Sequence, residues 1–380
     1  MTRQNSKDIM LPHSRAKVKF YKTYLDLYLK ILCNSPYITE INIYDIFCGR
    51  GIYKDGGKGS PIEAANVIYD VCNQFPSKTK IKLHVNDKCK KHINNVRNYL
   101  QTSTINTLSN VEIVYSTLDG ETVLEDLSEK LNCTPQSTRN LIFIDPYGYK
   151  EIKKEIIYKL LQNQKTEVMI FLPISFMNRF TPHALENEEM IQYKPLCDFV
   201  KSFFTLDHPV VKGEIMTHLQ YIDYLTKALR FNNHLFSTSY HIERSIKNYF
   251  ALFFITPNKR GYEKILETKW SLDEKDGNGF ELPKERSLFE EEEKEEDKRR
   301  IFNRLFKLTN SFLANGPKDN TQLHDFVIYN EYLPKHLGLV LSEMLKLNLI
   351  KISKHPSSHR MRTGFFYLSD ENKRIIVEKL

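Results

Sequence analysis

The amino-acid sequence predicts an α/β protein in which a mostly parallel sheet carries helices on both faces, followed by a small second domain. Three observations favour this fold. Short runs that are apolar throughout alternate with segments of helical periodicity. Several of these runs end in an acidic residue, and five of the chain's 14 glycines lie between Gly49 and Gly59. Strands that are apolar throughout are typical of a parallel sheet buried on both faces.

The elements of the first domain follow from their hydrophobic patterns. A first helix is predicted over residues 14–33, where apolar and aromatic residues form one broad face. The predicted strands are 41–47, 80–87, 111–116, 139–146 and 167–174. The helices predicted between and after them are 62–75, 89–102, 120–132, 150–163 and a long stretch to about 232. A closing hairpin over 234–258 completes a Rossmann-like, doubly wound domain, which we assign to residues 1–270.

Residues 271–300 are strongly charged, with 12 acidic and 7 basic side chains. We interpret them as an acidic linker that runs into the start of a solvated helix, because acidic side chains favour a helix N-terminus. The alternative is an acidic interaction motif.

Residues 301–380 form a separate unit in this interpretation. Three helical patterns are followed by two short strands around a basic loop within 351–370, and this order predicts a winged helix-turn-helix domain. Asn320 or Thr321 is the expected N-cap of the second helix. Winged helices bind nucleic acids or other proteins, and the sequence leaves both alternatives open.

Composition excludes several classes of protein. The net charge of +8 suits an anionic partner such as nucleic acid, although a drift towards Lys, Asn, Ile, Tyr and Phe gives the same excess. No uncharged apolar run approaches the ~18 residues of a membrane span, and the first residues lack the apolar core of a signal peptide. The six cysteines form no CxxC pair, so we expect free thiols, no metal site and a cytoplasmic location.

The glycine-rich loop follows the first predicted strand. An acid at the carboxyl end of a first strand, followed by a glycine turn, marks the ligand edge of an open α/β sheet. Glycine there lets a ligand pack against bare backbone. The loop lacks the third glycine of a dinucleotide fingerprint and the GK[ST] of a P-loop. The predicted cofactor contacts on this loop are Asp45, Phe47, Cys48, Gly49 and Gly51.

Two later strand ends extend this predicted cofactor site. Asp87 ends the second strand, where an acid can accept hydrogen bonds from the ribose hydroxyls of an adenosyl cofactor. Asp119 follows the third strand and is the candidate for the adenine edge, with Ser116 competing for that place. Each acid taken alone could be an ordinary turn or N-cap residue.

The fourth strand ends in Asp145-Pro146-Tyr147, which we predict to be catalytic. The Asp145 carboxylate or the Pro146 carbonyl would accept a hydrogen bond from a substrate amine. Tyr147 would stack on a flat base that carries this amine.

Basic side chains supply candidate contacts to a substrate or nucleic acid. Those near the cleft are Lys54, Lys58 and Arg179, although Arg179 could instead belong to a hydrogen-bond network at a helix start. Those in the basic loop of the second domain are Lys351, Lys354, Arg360 and Arg362.

Five stretches between residues 18 and 265 carry a resemblance: KFYKTYLDLYLKIL, YDIFCGRGIYKDGGKGSPIEA, IDPYGYKEI, EVMIFLPISFMNRF and YFALFFITPNKRGYEKI. The chain resembles class I S-adenosylmethionine-dependent methyltransferases and, more closely, the three-Cys-motif partner protein (TcmP) family. This resemblance implies S-adenosylmethionine as the cofactor and a C-terminal winged helix. It also implies a neighbour-encoded partner protein that carries a three-cysteine motif and is similar to radical-SAM proteins.

The Asp145-Pro146-Tyr147 stretch resembles the D-P-P-Y motif of amino-methyltransferases that act on adenine or cytosine. It departs from that motif, because Tyr147 stands in place of the second proline. The leading hypothesis is a methyltransferase that modifies an exocyclic amine of a nucleic-acid base. The alternative is a non-catalytic protein that binds S-adenosylmethionine as a sensor or partner in a defence or mobile-element module, with the winged helix binding DNA or a protein.

Overall fold

The computed structural model describes residues 9–282, 290–358, 362 and 364–380. The chain divides into two compact units. The larger unit comprises residues 1–268 and 278–282, and the smaller comprises 269–277 and 283–380. None of the described helices is both long enough and apolar enough to cross a membrane.

The larger unit contains one eight-stranded sheet. Its strands are β1 (Glu40–Asp45), β2 (Lys80–Asn86), β3 (Val111–Ser116), β4 (Thr138–Ile144), β5 (Thr166–Leu172), β6 (Phe236–Ser245), β7 (Asn248–Thr256) and β8 (Gly279–Phe280). They lie in the order β3-β2-β1-β4-β5-β7-β6-β8. Strands β1 to β5 are parallel, whereas β7 is antiparallel to both β5 and β6. This confirms the predicted α/β fold with a mostly parallel, Rossmann-like sheet.

Nine helices precede or connect these strands in the described part of the chain. They are α1 (Pro12–Cys33), α2 (Ser60–Gln74), α3 (Lys90–Gln101), α4 (Gly120–Lys130), α5 (Lys154–Leu161), α6 (Ile174–Glu186), α7 (Lys194–Phe203), α8 (His218–Ala228) and α9 (Lys259–Leu272). The predicted helix at 150–163 is shorter than expected, because α5 begins only at Lys154. The long helical stretch is three helices, since Pro195 starts α7 and a Thr217 capping box starts α8.

Helix α1 packs across the sheet through its aromatic side chains. The Tyr21 ring stacks on Phe143 of β4 at a centroid distance of 4.5 Å, and the Tyr24 ring meets Phe254 of β7 at 4.9 Å. Both tyrosines are fully buried. This packing fixes the start of α1, with its basic residues, beside the carboxyl edge of the sheet.

The smaller unit has three helices and a three-stranded sheet. They are α10 (Glu290–Ala314), β9 (Lys318–Asp319), α11 (Asn320–Tyr329), α12 (Pro334–Lys346), β10 (Ile350–Lys354) and β11 (Ile375–Lys379). The strand order is β10-β11-β9, and both pairs are antiparallel. Helix α10 begins inside the segment predicted as a linker, of which residues 283–289 lie outside the described chain.

Two local predictions for this unit are wrong. The N-cap of α11 is Asp319, whose carboxylate accepts hydrogen bonds from the backbone N–H groups of Thr321 and Gln322. The N-cap is therefore one residue before Asn320 and two before Thr321, the two residues that the sequence indicated. The strand that pairs with β10 lies at 375–379 rather than within 351–370.

Trp270, the chain's single tryptophan, belongs to the smaller unit. Its indole N–H donates to the backbone oxygen of Glu331 at 2.8 Å, and its ring stacks on Tyr332 at 5.8 Å. The adjacent Lys269 is buried and pairs with the Glu331 carboxylate at 2.5 Å.

Candidate functional site

The parallel strands bring three predicted acids to one edge of the sheet. Asp45 is the last residue of β1, Asp87 follows β2, and Asp145 follows β4. Strand β1 pairs with both β2 and β4, so the three carboxyl groups converge where the strand order reverses. Their mutual proximity also shows electrostatically, because Asp145 and Asp87 both raise the pKa of Asp45.

Asp45 is completely buried, and neither of its carboxylate oxygens has a hydrogen-bond partner among the described residues. Burial is the main cause that raises its pKa from 3.8 to about 7, whereas the nearby Ser60 hydroxyl and the Lys17 ammonium act in the opposite direction. A buried carboxyl group with unused acceptor sites is costly unless a ligand completes it. It therefore marks a place for a cation or a hydrogen-bond donor.

The two glycines after β1 have different roles. Gly49 has a φ of +60°, and a Cβ built there would meet no atom within 4 Å, so its backbone is bare. Gly51 has a φ of +73°, and a Cβ there would lie 2.5 Å from the Val96 side chain. Open space for a ligand thus lies beside Gly49, whereas packing requires Gly51.

The rest of the glycine loop closes on itself and is tied to α1. The Gly59 N–H donates to the Gly51 oxygen at 2.6 Å. The Asp55 carboxylate accepts from Arg15 at 2.6 Å and from the Met10 N–H at 3.2 Å. Lys54 is exposed and Lys58 is half-buried on this loop, and their predicted contact with substrate stays a prediction.

Asp87 links the second strand to the glycine turn. Its carboxylate accepts from the Gly49 N–H at 3.0 Å and from the Cys89 N–H at 2.8 Å. The His92 Nδ1 atom lies 3.1 Å from the oxygen that accepts from Cys89. A carboxylate oxygen has about two acceptor sites, so the other oxygen keeps one for a ribose hydroxyl. The Cys48 thiol is buried near Asp45 and Asp87. Burial is the main cause that raises its pKa, so the thiol stays neutral.

Asn86 was not identified from the sequence, although it organises this edge. Its amide donates to the oxygens of Ile46 and Leu118, each at 3.0 Å. Its own oxygen accepts from the Ser116 hydroxyl at 2.7 Å and from the Leu118 N–H at 3.0 Å. The only signal in the sequence was a polar residue directly before Asp87 at a strand end.

Asp119 is the N-cap of α4, and its carboxylate accepts from the Glu121 N–H at 3.1 Å. This is the capping role that the sequence left open beside the adenine contact, which stays a prediction. The half-buried Phe47 ring covers the start of the same helix. A Cβ on Gly120 would lie 2.2 Å from that ring, so the close packing of Phe47 requires glycine there.

Asp87, Cys89 and His92 place three potential metal ligands within 4.8 Å of one another. The sequence predicted no metal, and two of these residues lie on the short connection from β2 into α3. Both Asp87 oxygens accept backbone hydrogen bonds, and the His92 Nδ1 atom lies 3.1 Å from one of them.

Asp145 has a partner that the sequence did not indicate. The Lys17 ammonium, from α1, forms an ion pair with the Asp145 carboxylate and lies 4.7 Å from the centroid of the Phe171 ring. Lys17 is 128 positions away in the chain and stands among several other basic residues. Nothing in its local pattern distinguishes it from a solvent-exposed lysine.

Pro146 is buried, whereas Tyr147 is 74% exposed. Partial burial of the Tyr147 hydroxyl raises its pKa, and the nearby Asp87, Cys89 and Asp145 raise it further. Tyr147 also lines a cavity of about 880 Å³ on its other side. It therefore stands between the predicted cofactor edge and this cavity, into which Arg179 also faces.

The predicted contacts of the smaller unit lie on or after β10. Lys351 pairs with Glu378 at 2.8 Å, and Lys354 is exposed. The backbone N–H of Arg362 donates to the Tyr367 hydroxyl at 2.8 Å. Arg360 lies outside the described residues.

No protein-family model matches the sequence, and no curated protein matches it either. Solved methyltransferase structures are similar at low identity. The O-methyltransferase TomG from Streptomyces achromogenes, in complex with SAM, is 13% identical, with a TM-score of 0.32 over 62% of this chain and 78% of that chain. A putative O-methyltransferase from Klebsiella pneumoniae is 14% identical, with a TM-score of 0.32 over 63% and 80%.

Trm1 from Pyrococcus horikoshii, in complex with S-adenosyl-L-methionine, is 12% identical, with a TM-score of 0.32 over 71% of this chain and 65% of that chain. At these identities and scores, the similarities are too distant to assign an activity or a residue role.

Proposed function

We propose that the larger unit binds S-adenosylmethionine and transfers its methyl group. The observation that carries this proposal is the buried Asp45 carboxyl group, which lacks a partner beside the bare backbone of Gly49. The residues fit this cofactor, because its ammonium and sulfonium groups are cations that favour an ionised carboxylate. The remaining acceptor site of Asp87 suits a ribose hydroxyl.

Bound S-adenosylmethionine supplies an electrophilic methyl group, so the protein's main task is to position the acceptor and to exclude water. Phe47, which packs on Gly120, would contribute to excluding water on the side of the site next to α4. Asp119 would meet the adenine edge from its N-cap position, and Cys48 would contribute a neutral apolar contact.

The acceptor in this proposal is an exocyclic amine of a nucleic-acid base. Asp145 and the Pro146 carbonyl would accept hydrogen bonds from the amine, and the exposed Tyr147 ring would stack on the base. The Lys17 ion pair holds the Asp145 carboxylate in place, and its oxygens can act as acceptors. Because Tyr147 replaces a proline of the similar D-P-P-Y motif, the carbonyl of Pro146 is held less rigidly.

A second candidate function is a sensor that binds the cofactor without catalysis. The specific observation in its favour is the same Lys17–Asp145 pair, because it occupies one oxygen of the carboxylate that a substrate amine would use.

We also propose that the smaller unit is a winged helix that binds nucleic acid. The element order, a helix, a short strand, two helices and two strands, supports this assignment. Lys354 and Arg362 lie where a wing would contact phosphate, whereas Lys351 is partly neutralised by Glu378. We keep as proposals a methyltransferase-like domain at 1–270, an acidic linker at 271–300 and a winged helix at 301–380.

A partner protein with a three-cysteine motif is likewise proposed, from the resemblance to the TcmP family.

Calorimetry with S-adenosylhomocysteine and S-adenosylmethionine tests the cofactor assignment. We expect Asp45→Asn to weaken S-adenosylmethionine binding by about tenfold or more, as loss of a charge-assisted hydrogen bond does. Asp223→Asn is the control, because this exposed residue of α8 pairs with Lys227. Absence of binding by the wild-type protein would refute the proposal.

A radiolabelled methyl-transfer assay over DNA, tRNA and rRNA separates the two candidates. We expect transfer by the wild-type protein, and we expect Asp145→Asn to reduce it strongly while S-adenosylhomocysteine binding is retained. Cofactor binding without transfer to any of these nucleic acids would favour the sensor.

A further inference from the structure

The cavity beside Tyr147 is lined mainly by three distant parts of the chain. They are the loop between β4 and α5, the first turns of α6, and the β6–β7 turn with its strand ends at residues 244–248. Pro195 of α7 and His218 of α8 also line it. The β6–β7 turn contributed nothing to the predicted site. A volume of about 880 Å³ lies at the upper end of the range for small-molecule pockets.

The lining of this cavity is strongly cationic. Arg179, Arg244 and Lys247 are exposed and face it, and none of them has a carboxylate partner among the residues that the structure describes. Glu151 is the single acidic residue in the lining, and it lies 3.9 Å from Lys150. Three uncompensated cations around one concave space attract an anion.

The same cavity presents aromatic faces. Tyr147 is 74% exposed, and Phe176 of α6 is 49% exposed. Phe176 is held by neighbouring rings of the same lining, because its ring packs on Phe180 at 4.6 Å and on Tyr149 at 6.1 Å. Exposed, backed aromatic rings are platforms on which nucleobases stack.

Hydrogen bonds hold the turn with its cations against α6. The Ser175 hydroxyl accepts from the Tyr249 N–H at 2.6 Å and donates to the Lys247 oxygen at 3.5 Å. The Arg244 guanidinium lies 5.8 Å from the centroid of the Phe250 ring. The backbone of this turn and the Arg244 side chain are therefore held in place by contacts within the protein.

We infer that this cavity binds one unstacked nucleotide, with the base on Tyr147 and Phe176 and the phosphate on Arg179, Arg244 and Lys247. The inference rests on the proposed function, because Tyr147 also borders the proposed amine site. It narrows the substrate to single-stranded or flipped-out nucleic acid. A base inside a duplex is stacked and cannot enter a concave pocket.

Equilibrium dialysis of the full chain against AMP and CMP, with adenosine and cytidine as unphosphorylated controls, tests this inference. We expect Arg179→Ala and Arg244→Ala each to weaken nucleotide binding by about tenfold, because each removes a charge-assisted contact, and to leave nucleoside binding unchanged. Phe176→Ala should weaken both. Lys227→Ala is the control, since this α8 residue lies outside the lining.

The inference is overturned if AMP binds no tighter than adenosine, or if the double variant of Arg179 and Arg244 binds AMP as the wild type does. Each variant is also titrated with S-adenosylhomocysteine, whose binding should not change. Retained S-adenosylhomocysteine binding without AMP binding removes this inference and leaves the methyltransferase proposal standing. AMP binding without S-adenosylhomocysteine binding supports the nucleotide site and removes the methyltransferase proposal.

Discussion

Glu167, like Asp45, is a buried carboxyl group with a raised pKa, and it lies at the amino end of β5, away from the candidate site. It accepts hydrogen bonds from the Tyr24 hydroxyl at 2.5 Å and from the Thr256 hydroxyl at 3.0 Å. A Cβ on Gly261 would lie 2.0 Å from one of its oxygens, so the space around it is fully used. Burial is the main cause that raises its pKa from 4.5 to about 7.

The raised pKa makes stability depend on pH. Folded Glu167 keeps a proton that the unfolded chain releases above about pH 4.5, so the free energy of unfolding decreases as pH rises from there to about 7. The full effect is up to about 3 kcal/mol. Glutamine cannot ionise, so we expect Glu167→Gln to lose less unfolding free energy than the wild type between about pH 5 and pH 8. Urea denaturation at these two pH values measures the difference.

Asp45 has a pKa shift in the same direction, so a residual slope is expected in Glu167→Gln. Asp26→Asn, at a half-buried residue of α1 that pairs with Lys30, serves as the control and should follow the wild type. An unchanged slope in Glu167→Gln would contradict an ionisation at this residue.

At the residue scale, the sequence could locate the acids at strand ends but not their partners. Asp45, Asp87 and Asp145 each follow an apolar run, and parallel strands must end at a common edge. The Lys17 contact depends on how α1 packs, which no local pattern encodes. For the same reason, the cations of the turn at 244–248 were not predicted.

Among the elements, α1 has the most direct influence on the site. One helix supplies Arg15 to the glycine loop through Asp55 and Lys17 to Asp145. Its tyrosines fix it on β4 and β7. The positions of Arg15 and Lys17 at the ligand edge therefore depend on how the tyrosines of α1 pack on the sheet.

We expect Lys17→Met to lower methyl transfer by about tenfold while S-adenosylhomocysteine binding is unchanged, because Asp145 loses the charge-assisted contact that orients it. Lys19→Met is the matched control, since Lys19 is exposed on the same helix. Steady-state kinetics with a methyl-accepting oligonucleotide measure the effect. Faster transfer in Lys17→Met would show instead that the ion pair blocks the carboxylate.

The strands and helices of the larger unit were predicted well, because their periodicities are strong. The exceptions have identifiable causes. Residues 145–153 form a loop rather than a helix start, and capping at Thr217 divides the later helical stretch. In the smaller unit, β11 was missed because a long loop separates it from its partner β10.

For the whole molecule, positive charge is the property shared by the proposed nucleotide cavity and the proposed nucleic-acid-binding winged helix. The chain carries a net charge of +8 despite the acidic segment 271–300. Phosphate contacts release counterions, so affinity for nucleic acid should fall with salt concentration.

We expect Lys354→Ala and Arg362→Ala each to reduce the slope of log affinity against log salt for a duplex oligonucleotide by about 0.9, the loss of one phosphate contact. Lys351→Ala is the matched control, because Lys351 already pairs with Glu378 and should change the slope less. Fluorescence anisotropy of the full chain measures these slopes. Equal slopes in all three variants would argue against a wing that contacts phosphate.

The position of Trp270 has a spectroscopic consequence. Because it is the chain's one tryptophan and packs on Tyr332 within the smaller unit, its emission on denaturation reports the unfolding of that unit. Of the 21 tyrosines, 18 lie in the larger unit, and they dominate its near-ultraviolet signal. Excitation selective for indole therefore follows the unfolding of the smaller unit. An adenosyl ligand that stabilises the larger unit against unfolding would change the tyrosine signal first.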